Sequence, residues 1–195
     1  MHYNRPRSTA TWGINAKDWE AGINYEKLRK DRLERAQSAC AEAGFGAFLC
    51  FNFDNLRYIT STHIGEWGRD KFDRYCLCPT DSAPFLWDPA PPAKRKSSPW
   101  LGNRVDAPVS TMQGSIPPEH GVQNVFAKQI KEKMVELGIE KQPLGIDVME
   151  LPMLRALEQE GVEVVDGQQA LMNAREVKTE EEIELLKVAA AMVDA

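Results

Sequence analysis

Histidine is scarce. The 195 residues hold three, His2, His63 and His120, and none is flanked by paired acids at metal-ligand spacing, so the chain offers no ligand set of its own. Cysteine is limited to Cys40, Cys50, Cys76 and Cys78. No two form a Cys-x-x-Cys pair and no second ligand cluster accompanies them, which argues against a zinc module. Three of the four lie in apolar strand sequence and read as small buried hydrophobes of a reducing compartment. No apolar run approaches the roughly 18 residues of a membrane-spanning helix. The N-terminus lacks the apolar core of a signal peptide, so the expected location is the cytoplasm. Basic residues are not in excess. Lys and Arg number 24 against 29 Asp and Glu, a net charge of −5, which argues against a nucleic-acid partner. The one basic run, Lys94-Arg95-Lys96, falls in a Pro-rich stretch and reads as a solvated loop tip.

What the chain does have is an apolar strand at its centre. Ala47-Phe48-Leu49-Cys50-Phe51 is apolar on both faces, which predicts the middle of a sheet covered on both sides. Tyr75-Cys76-Leu77-Cys78 is a second buried strand. Pro84-Phe85-Leu86-Trp87-Asp88 follows across a turn, completing a β-hairpin. Between the first two strands, Asn55-Leu56-Arg57-Tyr58-Ile59 reads as one helical turn. The stretch from Thr60 to Arg74 then gathers His63, Glu66, Trp67, Arg69, Asp70, Lys71, Asp73 and Arg74 around two glycines. Charge packed around one Trp, on a loop carried by a rigid sheet, marks the place to expect contact with a small polar ligand.

The flanks follow the same logic. A helix is predicted from Tyr25 to Ala43, with Leu33, Ala36, Cys40 and Ala43 on its apolar face and Gly44 as its left-handed stop. Residues 89–104 read as a loop, with a short edge strand near Val105 and Val109. Val122, Phe126, Ile130, Met134 and Leu137 line a second amphipathic helix, stopped by Gly138. Strands at Leu144–Val148 and Val162–Val165, alternating with helices that start near Pro152 and at Gln168–Asn173, complete an α/β layered domain. The expected architecture is a mixed sheet of about five to six strands with helices packed on it. Thr179 and Glu182 form a capping box that opens a last helix, with Ile183, Leu186, Ala190 and Val193 as its stripe. That helix has no stop signal and no partner segment, so the chain is expected to be the N-terminal piece of a longer protein. Residues 1–24 are read either as an extended arm that packs Trp12 and Trp19, for instance on a second subunit, or as a partly disordered tail.

Three motifs in order carry a family resemblance. Arg175, Lys178, Glu182, Ile183 and Ala190 resemble the junction between the N-terminal and catalytic domains of the pita-bread metallohydrolases, which include Xaa-Pro dipeptidase (prolidase), aminopeptidase P and creatinase. Asn55 to Ser61 is similar to that family's Asn-x-x-Tyr-x-(Ser/Thr)-Gly region, and Gly145-Ile146-Asp147 fits its Gly-Ile-Asp. The resemblance implies three segments: an arm at 1–24, a creatinase-type N-terminal domain at 25–174, and a linker with the first helix of a catalytic domain at 175–195. It implies no catalytic and no metal residue in this chain. The divalent metals (Mn, Zn or Co) would sit in a catalytic domain after Ala195. It also implies a homodimer in which this domain leans over the partner subunit's active site, taking a small peptide or a small zwitterionic substrate.

Substrate contact is assigned under that resemblance to Trp67 and Arg69, with His63 beside them and Arg74 as the substitute for Arg69. An Arg fork suits a carboxylate, and an indole face suits a cation. The bland alternatives are a Trp covering the sheet edge, an Arg paired with Asp70 or Asp73, and a His bonded to a loop carbonyl. Three functions stay open: the N-terminal domain of a Xaa-Pro peptidase, the same domain of a creatinase-like amidinohydrolase or dimethylsulfoniopropionate lyase, and a stand-alone dimerisation or binding module.

Overall fold

The computed structural model describes residues 22–63, 74–109 and 117–194. They fall into two compact units. One combines residues up to Leu28 with those from Lys178 onward, and the other is Arg29–Val177. Trp12, Trp19, Trp67 and Arg69 lie outside the described residues.

The larger unit is built on a six-stranded sheet of order β4-β3-β2-β1-β5-β6. The strands are β1 (Ala47–Cys50), β2 (Tyr75–Pro79), β3 (Phe85–Trp87), β4 (Val105–Asp106), β5 (Leu144–Ile146) and β6 (Val164–Asp166). β1 is central as its sequence predicts. It pairs antiparallel with β2 and parallel with β5. β2 and β3 form the expected hairpin, and β4 is the expected edge strand, running parallel to β3. Val109 lies beyond it.

Alternation along the strands divides the sheet into two apolar faces. Leu49, Tyr75, Leu77 and Trp87 pack with Phe126, Ile130 and Met134 of one helix and Met153 and Leu157 of another. Phe48, Cys50, Cys76 and Cys78 pack on the opposite face with Ala36, Cys40, Leu56, Ile59 and Leu171. Each fully buried Leu, Ile or Phe contributes about 1.5–3 kcal/mol, so the two faces together carry most of the driving force.

The α-helices among the described residues are α1 (Tyr25–Glu42), α2 (Phe53–Thr60), α3 (Pro91–Ser97), α4 (Val122–Glu136), α5 (Leu151–Gln159), α6 (Gln168–Glu176) and α7 (Glu180–Val193). Several differ from the sequence expectation. α2 has two turns rather than one, because the Asn52 side chain accepts from the backbone N–H of Asp54 and Asn55 and starts the helix early. Residues 91–97 are a helix rather than a loop, with Pro91 and Pro92 in the first turn, where proline lacks no needed bond. Ala43 is exposed, because α1 ends at Glu42 and Gly44 turns away at φ 75°. β5 stops at Ile146, since Asp147 turns its carboxylate to the backbone N–H groups of β1's exit. α6 runs three residues past Asn173.

In the smaller unit, the capping box at α7 is present in both directions. Thr179 Oγ1 accepts from Glu182 N at 3.2 Å, and Glu182 Oε2 accepts from Thr179 N at 3.0 Å. Asn24 N donates to Glu181 Oε2 at 2.9 Å. The stripe Ile183, Leu186, Ala190 and Val193 is exposed.

All four cysteines are free and buried. Burial pushes the Cys40 thiol up to about 12 and holds those of Cys50 and Cys78 well above their ordinary value. The thiolate is the reactive form. The native protein is therefore expected to resist a thiol reagent at about pH 8 under conditions that label all four cysteines in denaturant. Rapid native labelling of any of them would show that this face of the sheet opens.

Candidate functional site

Two polar clusters stand against the apolar faces, and α2 runs between them. The first lies at the C-terminal ends of the parallel strands. Asp147 follows β5 and accepts four hydrogen bonds: Phe51 N at 2.9 Å, Asn52 N at 3.0 Å, Asn55 Nδ2 at 3.0 Å and Val148 N at 2.7 Å. Every partner is a donor, an arrangement that fits an ionised carboxylate. Burial pushes this carboxyl up from its usual range, and the bonds from Phe51, Asn55, Asn52 and Val148 hold it back. Asn55 also donates to Gln168 Oε1 at 2.9 Å and accepts from Arg175 Nη1 at 2.5 Å.

Glycines make this convergence possible. A Cβ on Gly167 would lie 2.8 Å from the carbonyl carbon of Gly145, and one on Gly145 would lie 2.6 Å from the Phe45 ring, so glycine at 167 lets α6 begin this close to β5 and glycine at 145 leaves room for that ring. The three motifs of the family resemblance therefore meet in one network through Asn55, Asp147 and Arg175. Tyr58 of the first motif adds a bond from its hydroxyl to Ala174 O at 3.1 Å. Their chemistry here is structural: each group is engaged with the chain itself.

The second cluster joins the two ends of the segment between α2 and β2. Arg74 and Asp88 are almost wholly buried and paired, Nε to Oδ2 at 2.7 Å. Arg74 Nη2 also donates to Thr62 Oγ1 at 2.6 Å, which ties the two ends of that segment together. Thr62 and Thr60 share a hydroxyl bond at 2.7 Å, and Thr60 Oγ1 donates to Leu56 O at 2.7 Å. Lys94 Nζ donates to His63 O at 2.6 Å and lies 3.7 Å from Asp88 Oδ2. Burial, with Arg74 nearby, lowers the Lys94 ammonium, against a pull from Asp88 in the other direction. Trp100 Nε1 donates to Thr60 O at 2.8 Å, and the Arg29 guanidinium lies 4.3 Å from the Trp100 ring.

Lys94-Arg95-Lys96 is thus not a loop tip, although Arg95 and Lys96 are exposed. It is part of α3, where Lys94 reaches the loop stem and Arg95 pairs with Asp106 at 2.9 Å. The cause is α3 itself, which points Lys94 and Arg95 back toward β3 and β4.

Ser61 stands where the resembled pattern has glycine. It takes φ 52°, and among the described residues it is the one non-glycine with positive φ. A left-handed residue at the foot of the loop costs about 1–2 kcal/mol for an L-side chain, so the cluster around it holds the chain in a turn it would not choose alone.

Of the predicted contact residues, His63 is exposed at the loop stem, with its ring 6.3 Å from Phe53 in an edge-on arrangement. Arg74 is committed to Asp88 and Thr62. Trp67 and Arg69 fall outside the described residues, in the segment between His63 and Arg74. The sequence reading missed Asp88 and Lys94. The only signal for Asp88 was an acid directly after an apolar strand. Among the described residues no three His, Cys, Asp or Glu side chains come together to hold a metal ion, and no helix is long and apolar enough to cross a membrane.

Comparison with known proteins bears on the whole unit. No protein-family model matches the chain. Dimethylsulfoniopropionate lyase DddP of Roseovarius nubinhibens is 25% identical over 175 residues, covering 85% of this chain and 38% of the lyase. The same lyase from Roseobacter denitrificans is 26% identical over 171 residues, 83% of this chain and 37% of the lyase. The chain therefore spans well under half the length of these curated relatives.

Among solved structures, prolidase from Thermococcus sibiricus superposes with a TM-score of 0.59 at 21% identity, over 85% of this chain and 42% of that one. The N-terminal domain of the cytoplasmic peptidase PepQ from Mycobacterium tuberculosis superposes with a TM-score of 0.51 at 18% identity, over 74% of this chain and 98% of that domain. With its central β1, mixed six-stranded sheet and helices on both faces, the chain has the fold of the N-terminal domain of the Xaa-Pro peptidases, the creatinase type expected from its motifs.

Proposed function

We propose that this chain is the non-catalytic N-terminal domain of a longer metallohydrolase-type enzyme, acting in a homodimer and lending a loop to the partner subunit's substrate pocket. The observation that carries the reading is the base of that loop. Arg74, Thr62, Asp88 and Lys94 hold together the two ends of the segment between α2 and β2, with His63 at one end and Trp67 and Arg69 between those ends in sequence. Arg74 is spent on this anchoring, so the gripping role goes to Arg69, with Trp67 as the aromatic wall. The domain limits follow the motifs: an arm at 1–24, the α/β domain at 25–174, and a linker with the next domain's first helix at 175–195. The divalent metals (Mn, Zn or Co) belong to a catalytic domain outside this chain. No residue of this chain is assigned to a metal. The setting is cytoplasmic.

The first reading of the reaction is hydrolysis of Xaa-Pro peptides, supported by the fold shared with prolidase. A second reading, lyase chemistry on a small zwitterion such as dimethylsulfoniopropionate, is favoured by the two curated relatives, which match in sequence over more than four-fifths of the chain. An Arg fork and an indole face suit the carboxylate and the cation of such a substrate. Assay of the full-length protein with Xaa-Pro dipeptides and with dimethylsulfoniopropionate, in the presence of Mn²⁺, Zn²⁺ or Co²⁺, separates the two. Turnover of neither, or of either by the 195-residue chain alone, overturns the proposal. Arg69→Ala in the full-length enzyme is expected to raise KM, with kcat/KM falling about ten- to a hundredfold for the loss of charge-assisted bonds. Wild-type kinetics in that variant would remove Arg69 from the site.

A further inference from the structure

The last residues of the larger unit are fastened one after another to elements distant in sequence. Tyr58 Oη of α2 donates to Ala174 O at 3.1 Å. Arg175 Nη1 donates to Asn55 Oδ1 at 2.5 Å, and Asn55 is itself held by Asp147 and Gln168. Arg35 of α1 donates to Val177 O. After Val177 a single residue, Lys178, precedes Thr179, the firmly boxed N-cap of α7. A chain end that needed only to continue would require none of these bonds, and Val177 itself buries little, being 70% exposed. Three ties on four residues fix a position and a direction rather than a core.

We propose that Tyr58, Asn55, Arg175 and Arg35 form an exit clamp that sets where, and in which direction, the chain leaves the larger unit. This makes Tyr58 and Arg175 positioning residues for the reaction of the longer protein. The kinetic part of the inference rests on the function proposed above; the clamp itself does not. α2 links the two polar clusters. Its first turns carry Asn55 and Tyr58 of the clamp, and its last residue, Thr60, is bonded into the base of the loop. One short rigid helix thus ties the exit of the unit to the stem that carries His63.

Trypsin reads the clamp directly, because Lys178 is a cleavage site just beyond it. Cleavage of a transiently opened segment follows the population of the open form. In the 195-residue chain, Tyr58→Phe removes one hydroxyl and is expected to speed cleavage after Lys178 about fivefold, the equivalent of one neutral hydrogen bond. Arg175→Ala is expected to speed it about ten- to a hundredfold, and Arg175→Lys to restore part of the protection. Cleavage after Lys133, inside α4, should stay at the wild-type rate in each variant. An unchanged rate after Lys178 in both Tyr58→Phe and Arg175→Ala overturns the clamp. So does a rise after Lys133 in equal proportion, which would mean global loosening. In the full-length protein Tyr58→Phe is expected to raise KM with kcat kept, and kinetics equal to wild type would overturn the positioning role. A wild-type full-length protein active on neither substrate class overturns the proposed function, while the cleavage rates still decide the clamp.

Discussion

Arg74→Ala is expected to cost about 3–5 kcal/mol of folding stability, the range for breaking one side of a buried ion pair. Asp88 is 3% exposed, so the variant would leave a carboxylate in the interior with Lys94, at 3.7 Å, as its remaining cation among the described residues. That ammonium is itself lowered by burial, which limits what it can return. The variant also frees Thr62 from its bond across the loop base. Urea unfolding should show a lower midpoint with an unchanged slope. Arg74→Met combined with Asp88→Leu should lose less than the two single changes added together, because no charge is then left stranded. A loss under about 1 kcal/mol for Arg74→Ala would mean that the pair is hydrated and that the base of the loop is not built as described.

Asp147→Ala is expected to cost about 3 kcal/mol, since it strips the acceptor from three backbone N–H groups and from Asn55 at once. The pH dependence has a definite sign. Burial raises this carboxyl in the folded state, so between the unfolded and folded values the folded protein binds more protons. Its contribution to stability is complete below the unfolded value, about 3.9 for a free Asp, and is lost as pH rises through the folded one. The stability advantage of wild type over Asp147→Asn should therefore shrink from acid toward neutral pH. An advantage that widens over that interval would mean that the four donors outweigh burial.

These two sites also mark where the sequence is readable and where it is not. β1, the β2–β3 hairpin and α4 are legible because each is set by local pattern: apolar runs, a turn between strands, and a 3–4 spacing closed by Gly138. α3 was hidden because Pro91 and Pro92 read as loop residues, although a helix tolerates them in its first turn. The Lys94 run looked like a loop tip for the same reason. The motifs at Asn55, Asp147 and Arg175 stand out as a resemblance, but their chemistry is invisible in one dimension. Asn55 meets Asp147 across 92 residues and Arg175 across 120, and no spacing rule links such positions. Asp88 could be seen only once β2 and β3 had placed it opposite Arg74. The assignment of Trp67 and Arg69 rests on loop composition and family resemblance, and lies outside the described residues.

The strand order carries a consequence for how the molecule forms. β2 pairs with β3 across a short turn, whereas β1 and β5, whose residues Ala47 and Leu144 are direct partners, are nearly a hundred positions apart. Closing that span rather than one of about 25 residues costs roughly 1 kcal/mol more in chain entropy. The antiparallel half is thus set to assemble first, with the parallel half joining late. The Asp147 network can form only after that late step, because it bridges the exits of β1 and β5. Its substitutions should therefore accelerate unfolding more than they slow folding, whereas those in the β2–β3 hairpin should do the reverse. The same polar residues that hold the exit of the domain would then govern how long the folded molecule lasts.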